Sequence, residues 1–145
     1  MPSGKATSID DKRLRRCRAL IEGETTLVLA TTMDDGSPIA TPLFYYPDDE
    51  LNLYWLSSPE SRHSRNLLAR PRVAAAVFAA VTDWRGIRGV QMEGTAAVAS
   101  NDAILTAYRR RLGLGAEVDE VIARSTMYVF QAEWWRYIEG LATTE

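Results

Sequence analysis

Residue types that bind anions are concentrated between positions 57 and 63 of the chain. Hydroxyl, guanidinium and imidazole groups occur together there, on Ser57, Ser58, Ser61, Arg62 and His63. Hydroxyls and guanidinium groups donate hydrogen bonds to phosphate oxygens, and bonds to a charged acceptor are the stronger ones. General acid–base or nucleophilic catalysis would need a histidine paired with a carboxylate or a nucleophile, and no such pattern stands out in the sequence. The cluster therefore predicts phosphate binding and leaves the catalytic residues unknown.

The residues around this cluster predict that it begins a helix. Alternation over residues 51–56 predicts a strand before it, and Pro71 ends a short helix after it, because proline lacks an N–H. Ser61, Arg62 and His63 then lie at or near the helix N-terminus, where free backbone N–H groups carry partial positive charge and attract anions. The alternative interpretation is ordinary helix capping by Ser61, with the other two side chains solvated.

The remaining patterns predict a mainly β protein with short helices at its margins, an α+β fold. Strands are expected at residues 25–33, 38–46, 51–56, 73–81, 87–99 and 127–138, and helices at 8–23, 61–70, 101–112 and 117–124. The first three strands form an antiparallel meander, and Pro42 predicts that the second is an edge strand or contains a bulge. These strands are too few for two sandwich layers, so we expect a small closed or split β-barrel of about six antiparallel strands.

Composition argues against several classes of protein. A net charge of −2 leaves no basic surface for nucleic acid, and no apolar run is long enough to cross a membrane. One histidine and one cysteine cannot form a typical zinc site, so no metal is expected. The cysteine count and the absence of a signal sequence indicate the cytoplasm. The length predicts a single domain at residues 9–145 after a flexible tail at 1–8.

Four short motifs, in the correct order, resemble the pyridoxamine 5′-phosphate oxidase-like family of FMN-binding split barrels. Ser57 matches the hydroxyl residue that ends the third strand, and Ser61-Arg62-His63 matches a Ser-Arg-Lys triplet that begins four positions later. Arg70-Pro71-Arg72-Val73 is similar to the family's Asn-Pro-Arg-Val helix end. Trp84 followed by residues 88–94 resembles a tryptophan followed by Arg-Gln-Val-x-x-x-Gly.

The resemblance implies an oxidoreductase that binds FMN and a small-molecule substrate. It also implies a homodimer with two flavins at the interface. Matched by position, the flavin ring would contact a segment of the second strand, Thr41, Pro42, Leu43 and Phe44. The phosphate and ribityl chain would contact Ser57, Ser61, Arg62 and His63. Gln91 would lie near the flavin edge, and Trp134 would supply a contact at the interface. On strand position alone, Tyr45, Tyr46 and Trp84 are candidates for shaping a substrate pocket.

The chain also departs from the family pattern. His63 replaces the lysine of the triplet, which makes the phosphate contact weaker or pH-dependent, because imidazole is mostly neutral near pH 7. The C-terminal Arg-x-His of true pyridoxamine phosphate oxidases is absent, so oxidation of vitamin B6 is not expected.

Three alternatives to FMN stay open. The deazaflavin F420 has a longer acidic tail, for which Arg62, Arg65 and Arg88 could line a basic channel. Haem would need an axial ligand, and His63 is the only histidine. A non-catalytic binding module is the third.

Overall fold

The computed structural model of the protein describes residues 8–141, with side chains described from residue 11 onward. Four α-helices and seven strands lie in that range. The helices are α1 (Ser8–Gly23), α2 (Arg62–Ala69), α3 (Asp102–Leu112) and α4 (Asp119–Ala123). The strands are β1 (Thr26–Thr32), β2 (Pro38–Phe44), β3 (Tyr46–Pro47), β4 (Leu53–Ser57), β5 (Arg72–Phe78), β6 (Arg88–Ala99) and β7 (Thr126–Glu139).

The strands form one antiparallel sheet in the order β2-β1-β5-β6-β7-β4-β3. The chain passes from β2 at one end of this order to β3 at the other through a single residue, Tyr45, so the two ends of the sheet must meet. The sheet therefore curls into a half-barrel. Residues of β2 and β4 come within 8 Å of each other, but these two strands do not pair. The gap between them is the split of the barrel, and the predicted α+β split-barrel fold is confirmed.

The predicted meander is only partly correct, because the expected strand at residues 38–46 is interrupted at Tyr45. Its first part, β2, pairs with β1, whereas Tyr46 forms β3 together with Pro47 and pairs with β4. Tyr45 is fully buried, and its hydroxyl donates to the Ile21 carbonyl at the end of α1. The core therefore holds this residue and turns the chain from one end of the sheet to the other. Pro42 lies in β2, which is an edge strand as expected.

Two predicted strand boundaries were wrong by two or three residues, and a local turn explains the first. The third strand begins at Leu53 instead of 51, since Leu51 adopts φ 61° in the preceding turn. The Asp48 carboxylate accepts from the backbone N–H groups of Glu50 and Asn52 and holds that turn. The strand predicted at 73–81 ends at Phe78.

The helix ends agree better with the predictions. The Asn101 side chain accepts from the Ile104 N–H at the start of α3, and Gly113 ends α3 with φ 66°. The helix predicted at 117–124 begins instead as a 3₁₀ turn, Ala116–Val118, which continues into α4. The flexible tail predicted at 1–8 lies outside the described residues, apart from Ser8, where α1 begins.

The core fills the concave side of the sheet. Trp55, Tyr128 and Phe130 are fully buried there, and α1 contributes Cys17 and Ile21. Other inward residues alternate along β1, β5 and β6, as the period of a half-buried strand requires: Leu27, Leu29, Val73, Ala75, Val77, Val90 and Met92. Within the described residues, no helix is long and apolar enough to span a membrane.

A bulge between β6 and β7 sets which side chains of β7 face outward. The register passes from Gly94 opposite Ala132 to Glu93 opposite Trp134, so Glu133 has no partner on β6. The extra residue changes which side chains point to each face. Trp134 therefore lies on the outer face, while Trp135 packs against the core.

Candidate functional site

The predicted phosphate-binding residues meet where β4 ends and α2 begins. Ser61 is the N-cap of α2, and its Oγ accepts from the Ser64 N–H at 3.3 Å. The Ser57 Oγ lies 2.8 Å from His63 Nε2, and the Ser61 Oγ lies 3.3 Å from the same nitrogen. We call Ser57, Ser61, Arg62 and His63 the phosphate cradle. The capping interpretation and the cradle are both consistent with this geometry, since the capping serine is part of the hydroxyl group cluster.

His63 is half-buried, and its surroundings favour the neutral ring. Burial lowers the pKa of the imidazole below its ordinary value of 6.5, because desolvation disfavours the charged form. At neutral pH the ring is therefore uncharged, unlike the lysine of the family triplet. The hydrogen bond between Ser57 and His63 joins residues six positions apart, across a turn, and no sequence pattern predicts it.

Arginine side chains extend the cradle along the exposed side of α2. Arg62, Arg65 and Arg70 line a groove of about 650 Å³ that also contains Asp34. Arg70 is engaged, since its guanidinium donates to the Asp34 carboxylate at 2.8 Å and to the Thr32 carbonyl. Arg62 and Arg65 are exposed, and neither forms an ion pair with the rest of the described chain. Both are available to an anionic ligand.

The ring segment implied by the family resemblance, Thr41 to Phe44, forms the last part of β2. Because β2 is an edge strand, one side of its backbone faces the split. Thr41 and Leu43 lie on the side of the strand toward the core, and Pro42 and Phe44 lie on the outer side. Phe44 is 55% exposed. The edge of β2 and the phosphate cradle thus lie on the two sides of the same gap.

Gln91 and Trp134 lie elsewhere, on the convex face of the sheet. They line a groove of about 350 Å³ with Val28, Ala30, Ala74 and Ala76, and we call these six residues the outer groove. Glu93 and Arg136 also border it, and the Arg136 guanidinium lies 4.9 Å from the centre of the Trp134 ring. A row of alanines crosses three strands here, since Ala30 is opposite Ala40 on one side and Ala74 on the other.

The structure therefore divides the predicted cofactor residues into two groups. β6 is two strand positions from β4 and three from β2, about 10 and 14 Å along the sheet at ordinary strand spacing. Ser57 continues the inward alternation of Leu53 and Trp55, whereas Gln91 lies on the opposite face. Within one chain, Gln91 and Trp134 do not join the phosphate cradle.

Two further residues position the site. Asn66 is buried on α2, and its Nδ2 donates to the Thr31 Oγ1 of β1 at 3.0 Å. Tyr108 is buried on α3, which packs against β4, the strand that ends at Ser57. A polar residue beside the apolar Leu67 was a detectable signal for Asn66, while nothing local indicated Tyr108. Tyr45, a pocket candidate from sequence, is instead a core residue, and Trp84 is exposed in the β5–β6 loop.

The half-barrel, its split and the helix that begins beside the split define the class of protein as a split barrel. The chain belongs to the pyridoxamine 5′-phosphate oxidase family, whose model matches residues 14–139. No curated protein matches the sequence significantly.

Solved structures with the same fold include proteins of different kinds. A conserved hypothetical protein from Mycobacterium tuberculosis has 22% identity and a TM-score of 0.73, with 86% of this chain and 83% of that chain covered. The haem storage protein HutZ from Vibrio cholerae has 18% identity and a TM-score of 0.71, with coverage of 87% and 93%. An FAD-binding protein from Mesorhizobium loti has 23% identity and a TM-score of 0.65, with coverage of 86% and 90%. These similarities establish the shared fold.

Proposed function

We propose that the protein is an FMN-binding flavoprotein that acts as an oxidoreductase on a small-molecule substrate. The observation that carries this proposal is the phosphate cradle at the N-terminus of α2, with the free edge of β2 across the split. A phosphate at one end and a flat ring along a strand edge are the two ends of a flavin mononucleotide. The FAD-binding relative with the same fold supports the choice of a flavin.

The residues present fit the phosphate of FMN. The N–H groups of Arg62 and His63 have no carbonyl partner within the helix, so they are available to an anion together with the Ser57 hydroxyl. Arg62 supplies a guanidinium that can hold two phosphate oxygens. Glu60 is the nearest carboxylate in sequence, and it is exposed in the turn before the helix. When bound, FMN would supply the hydride or electron transfer, and the chain would hold and orient it.

The division of the site into two groups supports a homodimer with the cofactor at its interface. Gln91 and Trp134 lie on the convex face, where they can approach a flavin only if it is held by a second copy of the chain. Phe44, Phe78 and Trp134 are 55%, 54% and 39% exposed, and they lie on the same face of the sheet as the row of alanines. Large exposed apolar surfaces of this kind are typical of protein interfaces. We also assign the protein to the cytoplasm, where the buried and unpaired Cys17 would stay reduced.

The first experiment is a visible absorbance spectrum of the purified protein, repeated after FMN is added and the excess removed. Flavin bands that remain with the protein are the expected result. Riboflavin, which lacks the phosphate, is the matched control, and the step that removes excess ligand should remove it completely. A protein that retains neither ligand, and whose melting temperature FMN does not change, would contradict the proposal.

Haem and F420 are the competing cofactors, and the same preparation distinguishes them. The haem storage relative favours a test with haem, and His63 is the only histidine available as an axial ligand. A Soret band that disappears in His63→Ala would support haem binding. For Nε2 of His63 to ligate haem iron, its hydrogen bond with the Ser57 hydroxyl would have to break. The unpaired Arg62 and Arg65 suit the acidic tail of F420. Retention of F420 with no retention of FMN would replace the flavin in the proposal.

A further inference from the structure

We propose that phosphate binding in the cradle is linked to proton uptake by His63, through its hydrogen bond with Ser57. This inference rests on the proposed function, because it concerns how the same site holds the phosphate of the cofactor. It assigns to His63 a role that a lysine at this position would not have, that of making cofactor affinity depend on pH.

The geometry places one nitrogen between two hydroxyls. His63 Nε2 is 2.8 Å from the Ser57 Oγ and 3.3 Å from the Ser61 Oγ. A neutral imidazole nitrogen either accepts or donates, so the Ser57 hydroxyl can direct its proton to the ring. A protonated ring can only donate. Its Nε2–H then points to the Ser57 Oγ, and the Ser57 O–H is released toward a ligand. One proton thus adds a positive charge to the cradle and also turns a hydroxyl donor outward.

Ser61 cannot replace Ser57 in this role. The Ser61 Oγ is already engaged as the helix cap, with the Ser58 carbonyl at 2.8 Å, the Ser64 Oγ at 2.7 Å and the Ser64 N–H at 3.3 Å. Among the described residues, the Ser57 side chain forms a hydrogen bond only with the His63 ring. The proton on His63 therefore controls the freer of the two hydroxyls.

Charged and titratable groups face His63 from its own helix and from the elements packed nearby, and His63 is the only histidine among them. Arg62 and Arg65 flank it on α2, and Glu60 precedes the helix. From the elements packed nearby come Asp34 and Asp35 at the β1–β2 turn, and Tyr108 on α3 beside β4. The charged residues of β6, Arg88 and Glu93, line cavities on other faces of the sheet. Burial raises the pKa of Tyr108 above its ordinary value, further from neutral pH.

The free protein favours the neutral ring, because burial lowers the pKa of His63. A bound phosphate places negative charge beside the ring and must raise that pKa, so binding takes up a proton. The affinity for FMN then rises as the pH falls through the pKa of the bound state. It stops rising below the pKa of the free state. The gain is about tenfold for each unit between the two pKa values.

The test uses the fact that His63 is the only histidine of the chain. Its single imidazole resonance is followed by proton NMR between about pH 5 and 8, the range in which histidine titrates. The free protein, the protein with FMN and the protein with riboflavin are compared. We expect FMN to raise the pKa of the ring and riboflavin, without a phosphate, to leave it unchanged.

Dissociation constants for FMN over the same pH range complete the test, because the phosphate of FMN itself titrates near pH 6. The ratio of the constants for His63→Gln and the native chain removes that contribution. We expect this ratio to grow about tenfold or more toward low pH, and we expect His63→Lys to bind FMN tightly at every pH. If FMN binds but leaves the ring pKa unchanged, or if the ratio stays constant, the inference is overturned and the proposed function survives. If neither FMN nor riboflavin binds, both are overturned.

Discussion

The phosphate cradle and the outer groove are built in opposite ways. The cradle is polar, local in sequence and complete within one chain, since its hydroxyls, ring and helix N-terminus come from residues 57–64. The outer groove is mostly apolar and is assembled from β1, β5, β6 and β7. Its largest side chain, Trp134, remains 39% exposed. On the proposed function, the first region would bind the phosphate of the cofactor within one chain, whereas the second would be covered by a second copy of the chain.

This contrast assigns different tasks to the two regions. Substitutions in the cradle should change affinity for the phosphate and leave the association of chains intact. Substitutions in the outer groove should change association first, and cofactor binding only as a consequence.

The largest effect is expected from a charge in the outer groove. Ala30→Arg places a guanidinium among Ala40 and Ala74, on a face that the monomer exposes, so the chain should still fold. In a dimer the same charge would be desolvated at the interface, at a cost of several kcal/mol. Sedimentation velocity should show a dimer for the native protein and a monomer for the variant.

Val121→Arg is the control for that experiment, because Val121 is 59% exposed on α4, away from the outer groove. It should sediment like the native protein. Dimers of equal stability in Ala30→Arg and the native chain would remove the outer groove as the interface.

Gly94→Ala tests the bulge that places Trp134 in the outer groove. A Cβ at position 94 would lie 2.0 Å from the Gln131 carbonyl oxygen, a backbone atom that cannot move without breaking the pairing of β6 and β7. We expect the free energy of unfolding to fall by about 3 kcal/mol, the upper part of the usual range for overpacking. Urea denaturation measures it.

Gly23→Ala is the matched control for Gly94→Ala, since nothing lies within 4 Å of a Cβ at position 23. It should unfold at the same or a slightly higher urea concentration than the native chain. If both alanine variants are equally stable, the bulge accommodates a Cβ at position 94 and the prediction is wrong.

Arg62→Ala tests the cradle. Loss of a charged hydrogen bond to phosphate should weaken FMN binding by about 1.5–3 kcal/mol. Association of the chains should not change. Calorimetric titration with FMN measures the effect, with Arg85→Ala as an exposed arginine remote from the cradle. An unchanged dissociation constant in Arg62→Ala would separate Arg62 from the phosphate site.

The smallest effect concerns stability and pH in the absence of ligand. The folded state lowers the pKa of His63 below 6.5, so the unfolded chain takes up a proton first as the pH falls. The stability that depends on the neutral ring is present above pH 6.5 and is lost as the pH falls toward the lower, folded-state pKa. His63→Gln should lack this part of the decline in urea unfolding experiments. The same slope in both proteins would mean that the ring is not desolvated.

Local chemistry made the start of α2 predictable. Ser61 was expected as an N-cap and Pro71 as the end of the helix, and both interactions involve neighbours in sequence. The ends of α3 at Asn101 and Gly113 followed for the same reason. Pro42 indicated an edge strand correctly, because proline cannot complete the hydrogen bonding of a central strand.

Contacts between segments far apart in the chain could not be predicted from local sequence. Nothing near Tyr45 shows that this residue interrupts a strand, since the cause is a bond from its hydroxyl to the distant Ile21 carbonyl. Likewise, no local pattern marks Glu133 as the extra residue of the bulge, because the bulge exists only relative to β6. The bond between Ser57 and His63 depends on how β4 and α2 meet at the turn.

The sequence by itself determined the types of element, the residues of the cradle and the family to which the chain belongs. These depend on periodicity, caps and short motifs, all of which act over a few residues. Only the tertiary structure decided that Gln91 and Trp134 lie on the opposite face from Ser57. That separation results from the order of strands in the sheet and from one bulge, and both are consequences of packing between segments far apart in the chain.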